Sequence, residues 1–148
     1  MTDNDCTAQL ERACSYLRRI PAWYLATIDV TDGHQPRVRP FSFVMVDEGK
    51  LWFCTSRDKD VWAELSANPK FELSGWKPGE CWIVLTGEAA LEDDAVASDK
   101  VRQAGFKHMV GIGEEHESAN DGLLAFFSVR NIAARFCDID GSEERLEL

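Results

Sequence analysis

Two arginines stand two residues apart in the segment Gln35-Pro36-Arg37-Val38-Arg39-Pro40-Phe41-Ser42-Phe43, and in an extended chain that spacing turns both side chains to one face. Two guanidinium groups side by side need an anion or water. Downstream, Cys54-Thr55-Ser56-Arg57-Asp58-Lys59 joins two hydroxyls and an ammonium at the expected start of a short helix, where free backbone N–H groups and the helix dipole favour negative charge. If Asp47 pairs with Lys50 across the intervening turn, Ser42 falls opposite Thr55, Phe41 opposite Ser56 and Arg39 opposite Asp58. The pattern predicts a phosphate-bearing ligand held by Arg39, Thr55, Ser56 and Lys59, with Arg37 as a second contact. The competing reading is that Asp58 caps the helix and pairs with Arg39 while Arg37 is merely exposed.

Pro40 cannot donate a ladder hydrogen bond, so its strand is predicted to lie at a sheet edge or to break there. Such an edge offers main-chain groups to a planar heterocycle; it also serves simply to block aggregation. Trp23, Trp52, Trp62, Trp76 and Trp82 all fall in the strand-rich region and are expected mostly in the core, with Trp82, just past a turn, the choice for a pocket wall. His34, His108 and His116 have no second histidine at metal-ligand spacing, so no metal site is expected. No nucleophile elbow, Walker sequence or dinucleotide-binding glycine pattern occurs, which argues against covalent and phosphoryl-transfer mechanisms and leaves catalytic residues unassigned.

The elements that must position these residues follow from periodicity. Leu10, Ala13, Cys14 and Leu17 repeat at helical spacing and predict a helix from Cys6 to Ile20, capped by Asp3, Asn4 or Asp5 and stopped by Pro21. Strands are expected at Trp23 to Val30, Arg37 to Val46, Leu51 to Thr55, Phe71 to Trp76 and Cys81 to Leu91, joined by tight turns and by a short helix from Asp58 to Ala67. Asp93 or Asp94 should cap a further helix through Gln103, broken at Gly105 before a second piece from Phe106 to Val110. The acidic stretch Gly111 to Asp121 reads as a mobile loop. Two last strands, Leu124 to Arg130 and Ala133 to Ile139, flank Asn131, and residues 140–148 are expected to be a loose tail. Antiparallel strands with inserted helices make this mainly β with α, an α+β domain built on an open or split barrel.

A chain of 148 residues is long enough for one domain with a real core, and 45% hydrophobic with 28% charged residues is ordinary globular composition. A single domain, residues 1–148, is expected, with no membrane span. The acidic start Met1-Thr2-Asp3-Asn4-Asp5 lacks secretory features and predicts a cytoplasmic protein. Five widely spaced cysteines, without a Cys-x-x-Cys pair, read as reduced thiols. Net charge is −10, which would repel nucleic acid. Residues 33–77 nevertheless hold seven basic and six acidic residues against nine and 20 elsewhere, so an anionic ligand is best tolerated in the middle of the chain.

Six stretches together carry a resemblance: Trp23-Tyr24-Leu25-Ala26-Thr27, Gln35 to Phe41, Leu51-Trp52-Phe53-Cys54-Thr55-Ser56, Lys59-Asp60-Val61, Leu65 to Pro69 and Leu85-Thr86-Gly87-Glu88-Ala89. Their order and spacing over residues 20–140 resemble the pyridoxamine 5'-phosphate oxidase-like, FMN-binding split-barrel flavoproteins, in the short bacterial branch with nitroimidazole-resistance-like proteins. The resemblance implies a six-stranded antiparallel split β-barrel with flanking helices, and a homodimer with two FMN molecules at the subunit interface. It implies that Arg39 contacts the FMN phosphate, with Thr55, Ser56 and Lys59 completing that site and Cys54 beside them. The backbone through Arg39, Pro40, Phe41, Ser42 and Phe43 would border the isoalloxazine, and Trp82 matches a position that carries a glutamine near the flavin in the oxidases. True oxidases carry a lysine where Val44 stands and a C-terminal extension beyond the length of this chain. The expectation is therefore an FMN-dependent oxidoreductase acting on a small planar substrate other than pyridoxamine phosphate. The alternative is a flavin- or heme-binding module without turnover; some relatives bind a deazaflavin or heme.

Overall fold

The computed structural model describes residues 2–113 and 116–148. Helix α1 (Asp3–Arg18) opens the chain, capped by Thr2, whose hydroxyl accepts from the Asp5 N–H while the Asp5 carboxylate returns a bond to the Thr2 backbone. The cap therefore sits one residue ahead of the expected acidic candidates. Leu10, Ala13, Cys14 and Leu17 are buried, as their spacing predicts, together with Tyr16.

Eight strands follow among the described residues: β1 (Trp23–Ile28), β2 (Pro36–Phe41), β3 (Met45–Asp47), β4 (Lys50–Ser56), β5 (Lys70–Trp76), β6 (Trp82–Ala90), β7 (Leu124–Cys137) and β8 (Glu143–Leu146). Every pairing is antiparallel, in the order β2-β1-β5-β6-β7-β4-β3, with β8 added on β7. The two edges, β2 and β3, are neighbours in sequence, separated only by Ser42, Phe43 and Val44. The sheet therefore curls until its edges almost meet, and β2 with β3 form one side of a barrel interrupted at a seam. Counted that way the barrel has six strands. Trp23, Phe41, Phe53, Phe71 and Phe127 fill its interior, with ring centroids 4.7 Å apart for Trp23–Phe53 and 5.6 Å for Phe53–Phe127.

The expected single strand Arg37 to Val46 is thus two strands. The Asp47–Lys50 register is present, with Val46 opposite Leu51 and Met45 opposite Trp52. Glu48 and Gly49 both have positive φ, 49° and 72°, as a two-residue turn matching strand twist requires. Pairing stops at Met45, however, because Pro40 and Pro36 prevent β2 from serving a second neighbour; β2 instead pairs only with β1, placing Trp23 opposite Phe41 and Leu25 opposite Arg39.

Helix α2 (Asp60–Ala67) packs on β1 and β4. After β6, a 3₁₀ segment (Leu91–Val96) precedes helix α3 (Asp99–Gly111). The α3 cap is Ser98, accepting from the Val101 N–H, rather than Asp93 or Asp94. Those two carboxylates are spent elsewhere: Asp93 on Ser128 and Lys50, Asp94 on the Phe126 N–H and Arg57. Strand β7 runs unbroken past Asn131, whose φ of 52° bends it where the β6 register shifts between Thr86 and Glu88. The chain end is also not a loose tail, since β8 pairs with residues 134–137, Leu146 is buried and Glu144 binds Arg12 at 2.8 Å. The expected acidic loop includes Glu114 and Glu115, which lie outside the described residues. Among the described residues no helix is long and apolar enough to cross a membrane.

Gly105 does not break α3; it lets the helix approach the barrel. A Cβ there would stand 2.3 Å from Phe126 Cε1 and 3.6 Å from Cys54 Sγ, and the fully buried Phe126 ring has no open space to enter. Gly105→Ala is expected to lower stability by about 1–2 kcal/mol, because overpacking costs about 1–3 kcal/mol and exceeds the roughly 1 kcal/mol gain in helix propensity. Urea unfolding of the two proteins measures the difference.

Candidate cofactor site at the barrel seam

Where β2 ends and the seam opens, a cleft of about 460 Å³ is lined by Arg39, Pro40, Phe41, Ser42, Phe43, Cys54, Thr55 and Lys59. That volume lies within the range of small-molecule sites. Eight of the eleven residues read from the sequence therefore meet around one hollow. Pro21 and Ala22 close it on the α1 side, Val61 comes from α2, and Met109 and Ile112 come from α3 and its cap.

Three candidates stand elsewhere. Ser56 is buried and paired with Leu124, and its carbonyl accepts the Lys59 N–H as the chain turns into α2. Trp82 starts β6 opposite Trp76 and Cys137, three strands from β2. Arg37 lines an adjoining hollow of about 760 Å³. There its Nε donates to Asp29 Oδ2 at 2.9 Å. The Asp29 carboxyl is held down at about 2 by the Asp32 N–H, by Arg37 and by the Thr31 N–H.

The ladder does place Arg37 and Arg39 on one face, since their partners Thr27 and Leu25 are both buried inside the barrel. Arg39 does not lie opposite Asp58, as the continuous-strand register implied. Its guanidinium turns under α2 and donates to the Glu64 carboxylate, to Thr27 Oγ1 at 2.6 Å and to the Leu25 carbonyl at 3.3 Å. Thr27 also donates to Glu64 at 2.8 Å. Glu64 keeps only 4% of its side chain exposed and Arg39 22%, so this is a nearly dry ionic knot whose one wet member, Arg39, faces both hollows.

The start of α2 lies beside it. Lys59 is the N-cap, and no side chain caps the helix there, so first-turn N–H groups, the Thr55 wall and two cations converge on the same side. The hollows also carry Asp29, Asp58, Asp60 and Glu64. The local balance is close to neutral in a strongly acidic chain, which permits an anion without attracting one over long range.

The sequence predicts helix in the α3 region and offers His108 only as a metal ligand, and no part of α3 is expected at the cleft. Ser42 Oγ lies 2.7 Å from His108 Nε2, and the His108 ring packs 5.8 Å from that of Phe43. Burial pushes the His108 imidazole below its ordinary value. The available signal was its place one residue before Met109, on the flank of the buried Val101, Gly105 and Met109 stripe. Glu64 was equally legible as a carboxylate beside Val61 and Leu65 on the apolar stripe of α2. His116 is engaged with Asp121 at 2.7 Å. Among the described residues no group of three or more His, Cys, Asp or Glu is arranged to hold a metal.

Arg39→Ala would leave Glu64 buried without its cation. A stability loss of about 2–3 kcal/mol is expected, below the roughly 3–5 kcal/mol of a fully buried pair because Arg39 is partly solvated. The double change Arg39→Ala, Glu64→Gln should recover part of it in urea unfolding. A double variant no more stable than the single one would mean that Glu64 does not depend on Arg39.

The family model for pyridoxamine 5'-phosphate oxidase matches residues 10–137. No curated protein matches the chain. Among solved structures, a NimC/NimA family protein from Clostridium acetobutylicum is 31% identical, with a TM-score of 0.82 and coverage of 99% of this chain and 96% of that one. A heme-binding protein from Mycobacterium smegmatis shares the fold at 13% identity and TM-score 0.59, covering 98% of this chain and 57% of its own. An F420 reductase does so at 20% and 0.53, covering 78% and 90%. With its seam, its curled antiparallel sheet and a family match spanning most of its length, the chain belongs to the pyridoxamine 5'-phosphate oxidase-like split-barrel family.

Proposed function

We propose that the seam cleft holds FMN and that the protein is an FMN-dependent oxidoreductase passing a hydride or electrons to a small planar acceptor. The observation that carries this reading is the convergence of Arg39, Thr55, Lys59 and the uncapped start of α2 beside the apolar wall of Phe41, Phe43 and Met109. Cations and N–H groups suit a phosphate, and the apolar wall suits a flat ring system. When bound, FMN would supply the redox chemistry, so the protein's part is to orient, hydrogen-bond and exclude water. Arg39 is already locked by Glu64 and Thr27, which holds its remaining donors in place before the phosphate arrives. Val44 in the seam connector is apolar and 2% exposed, and it cannot replace the lysine of the true oxidases, which supports a substrate other than pyridoxamine phosphate.

None of the five cysteines is joined in a disulfide, and the reading includes a reducing, cytoplasmic setting. A homodimer completes the reading. Strand alternation puts Tyr24, Val38, Pro40, Trp76 and Trp82 on the outer face of β2-β1-β5-β6, where Tyr24, Val38 and Trp76 are 55%, 66% and 59% exposed. A contiguous apolar face of this kind marks an interaction surface. The second reading, a flavin- or heme-binding module without turnover, draws on the heme-binding protein that shares the fold and on the near-neutral balance of the hollows.

Purified protein should quench FMN fluorescence on titration, and the bound flavin should be reduced by a nicotinamide or dithionite and reoxidised by an added acceptor. Arg39→Ala should weaken FMN binding by about 1.5–3 kcal/mol, the scale of a charged hydrogen bond. Protein that takes up no FMN defeats the proposal, and FMN that no acceptor reoxidises favours the binding module. Sedimentation should give a dimer for the unaltered chain and a monomer for Trp76→Glu; a monomer in both removes the interface.

A further inference from the structure

The Ser42–His108 contact joins two parts of the chain that the sheet does not. Ser42 belongs to the three-residue connector between the sheet edges, where no strand neighbour claims its side chain, and it lines the cleft. His108 comes from α3, stands behind Ser42 at 2.7 Å and is packed against Phe43. The other polar side chains of the cleft are the Arg39 and Lys59 cations, the Cys54 thiol, and Thr55, which is 2% exposed and lies opposite Ala125 in the β4–β7 ladder. Ser42 is therefore a cleft hydroxyl backed by a group that exchanges protons near neutrality.

We infer that Ser42 and His108 form a proton relay into the cleft, with Ser42 the catalytic donor to the bound acceptor and His108 a positioning and proton-supplying residue behind it. The inference rests on the flavin reading above. A two-electron reduction needs a hydride and a proton. Reduced flavin, when bound, would supply the hydride with its two electrons, and the Ser42 O–H bond breaks as its proton goes to the acceptor. The doubly protonated imidazole of His108 returns its Nε2 proton to Ser42 Oγ, remains as the neutral Nδ1–H tautomer, and is recharged from solvent. Burial lowers the His108 value. Among the described residues, the titratable and charged groups around the relay are Cys54, Arg39 and Lys59 in the cleft, Lys107 on α3, exposed, and Arg18 of α1, whose Nε donates to the Val44 carbonyl of the connector at 3.0 Å. Because the protonated form delivers the proton, the rate should rise as pH falls through the His108 pKa, below about 6.5.

The test uses full-length protein, Ser42→Ala and His108→Gln, each saturated with FMN as judged by fluorescence, photoreduced and mixed with 1,4-benzoquinone or 2-nitroimidazole in a stopped-flow cell between pH 5 and 8. Unaltered protein should show the acidic rise. Both variants should lose it and fall at least tenfold at pH 5.5, the lower side of what general acid catalysis supplies. Nitrogen-15 spectra of the imidazole without flavin give the second readout: His108 should titrate below 6.5, and Ser42→Ala should shift its Nε2 resonance. FMN-loaded variants with the unaltered pH profile, or an Nε2 resonance indifferent to Ser42, overturn the relay alone. Unaltered protein that binds no FMN overturns the flavin reading and the relay with it.

Discussion

A carboxylate with almost no access to water, Glu64, governs the architecture of the seam. An ionised carboxylate removed from water costs several kcal/mol unless charge and hydrogen bonds replace what water gave. Arg39 and Thr27 replace it, one from β2 and one from β1. Their demand fixes three elements at once: β2 must lie on β1 in the register that brings Arg39 over Leu25, and α2 must sit on β1 where Glu64 reaches Arg39. Once α2 is seated, its uncapped start and Lys59 are delivered to the cleft. The polar cluster is thus a device of position, and the anion-favouring geometry is its by-product.

The cleft exists because the molecule has two cores. One fills the barrel with Trp23, Phe53, Leu73, Leu85 and Phe127; the other, with Phe43, Trp52, Cys54, Val101, Met109 and Phe126, binds α3 to the outside of β4 and β7. Phe41 faces the first and Phe43 the second, and Ser42 sits between them. A chain segment that must serve both cores in three residues cannot stay in a flat ladder. The break in pairing and the opening beside it follow from that division of hydrophobic labour.

Much of this was legible from local pattern. The hairpin at Asp47 to Lys50, the shared face of Arg37 and Arg39, the edge position of the Pro40 strand and the amphipathic α1 all come from alternation, turn chemistry and the missing proline N–H. What was not legible depended on long-range partners. Extending the hairpin register through Ser42 failed because β2, with Pro36 and Pro40, pairs with β1, so that the hairpin ladder with β4 ends at Met45. The Arg39 partner was misread because Asp58 is near in the extended register, whereas Glu64 is near only after α2 forms. Gly105 looked like a helix stop because its reason, the Phe126 ring, lies on a strand far along the chain. The tail reads as loose because four polar-rich residues with one buried leucine signal little until β7 offers them an edge.

Strand β7 pairs with β4, β6 and β8, and this has a consequence for biogenesis. Until the chain has been made through residue 128, β4 lacks its partner on one side, and until residue 137 β6 lacks the rest of its own, so the barrel cannot close and the aromatic interior has no lid. Loop-closure entropy must be spent across that whole span before any of these contacts repay it. A nascent chain halted after β6 would expose a hydrophobic strand edge of the kind that aggregates. Folding of this protein is therefore governed from its C-terminal third, although the residues lining its cleft lie mainly in the first half of the chain.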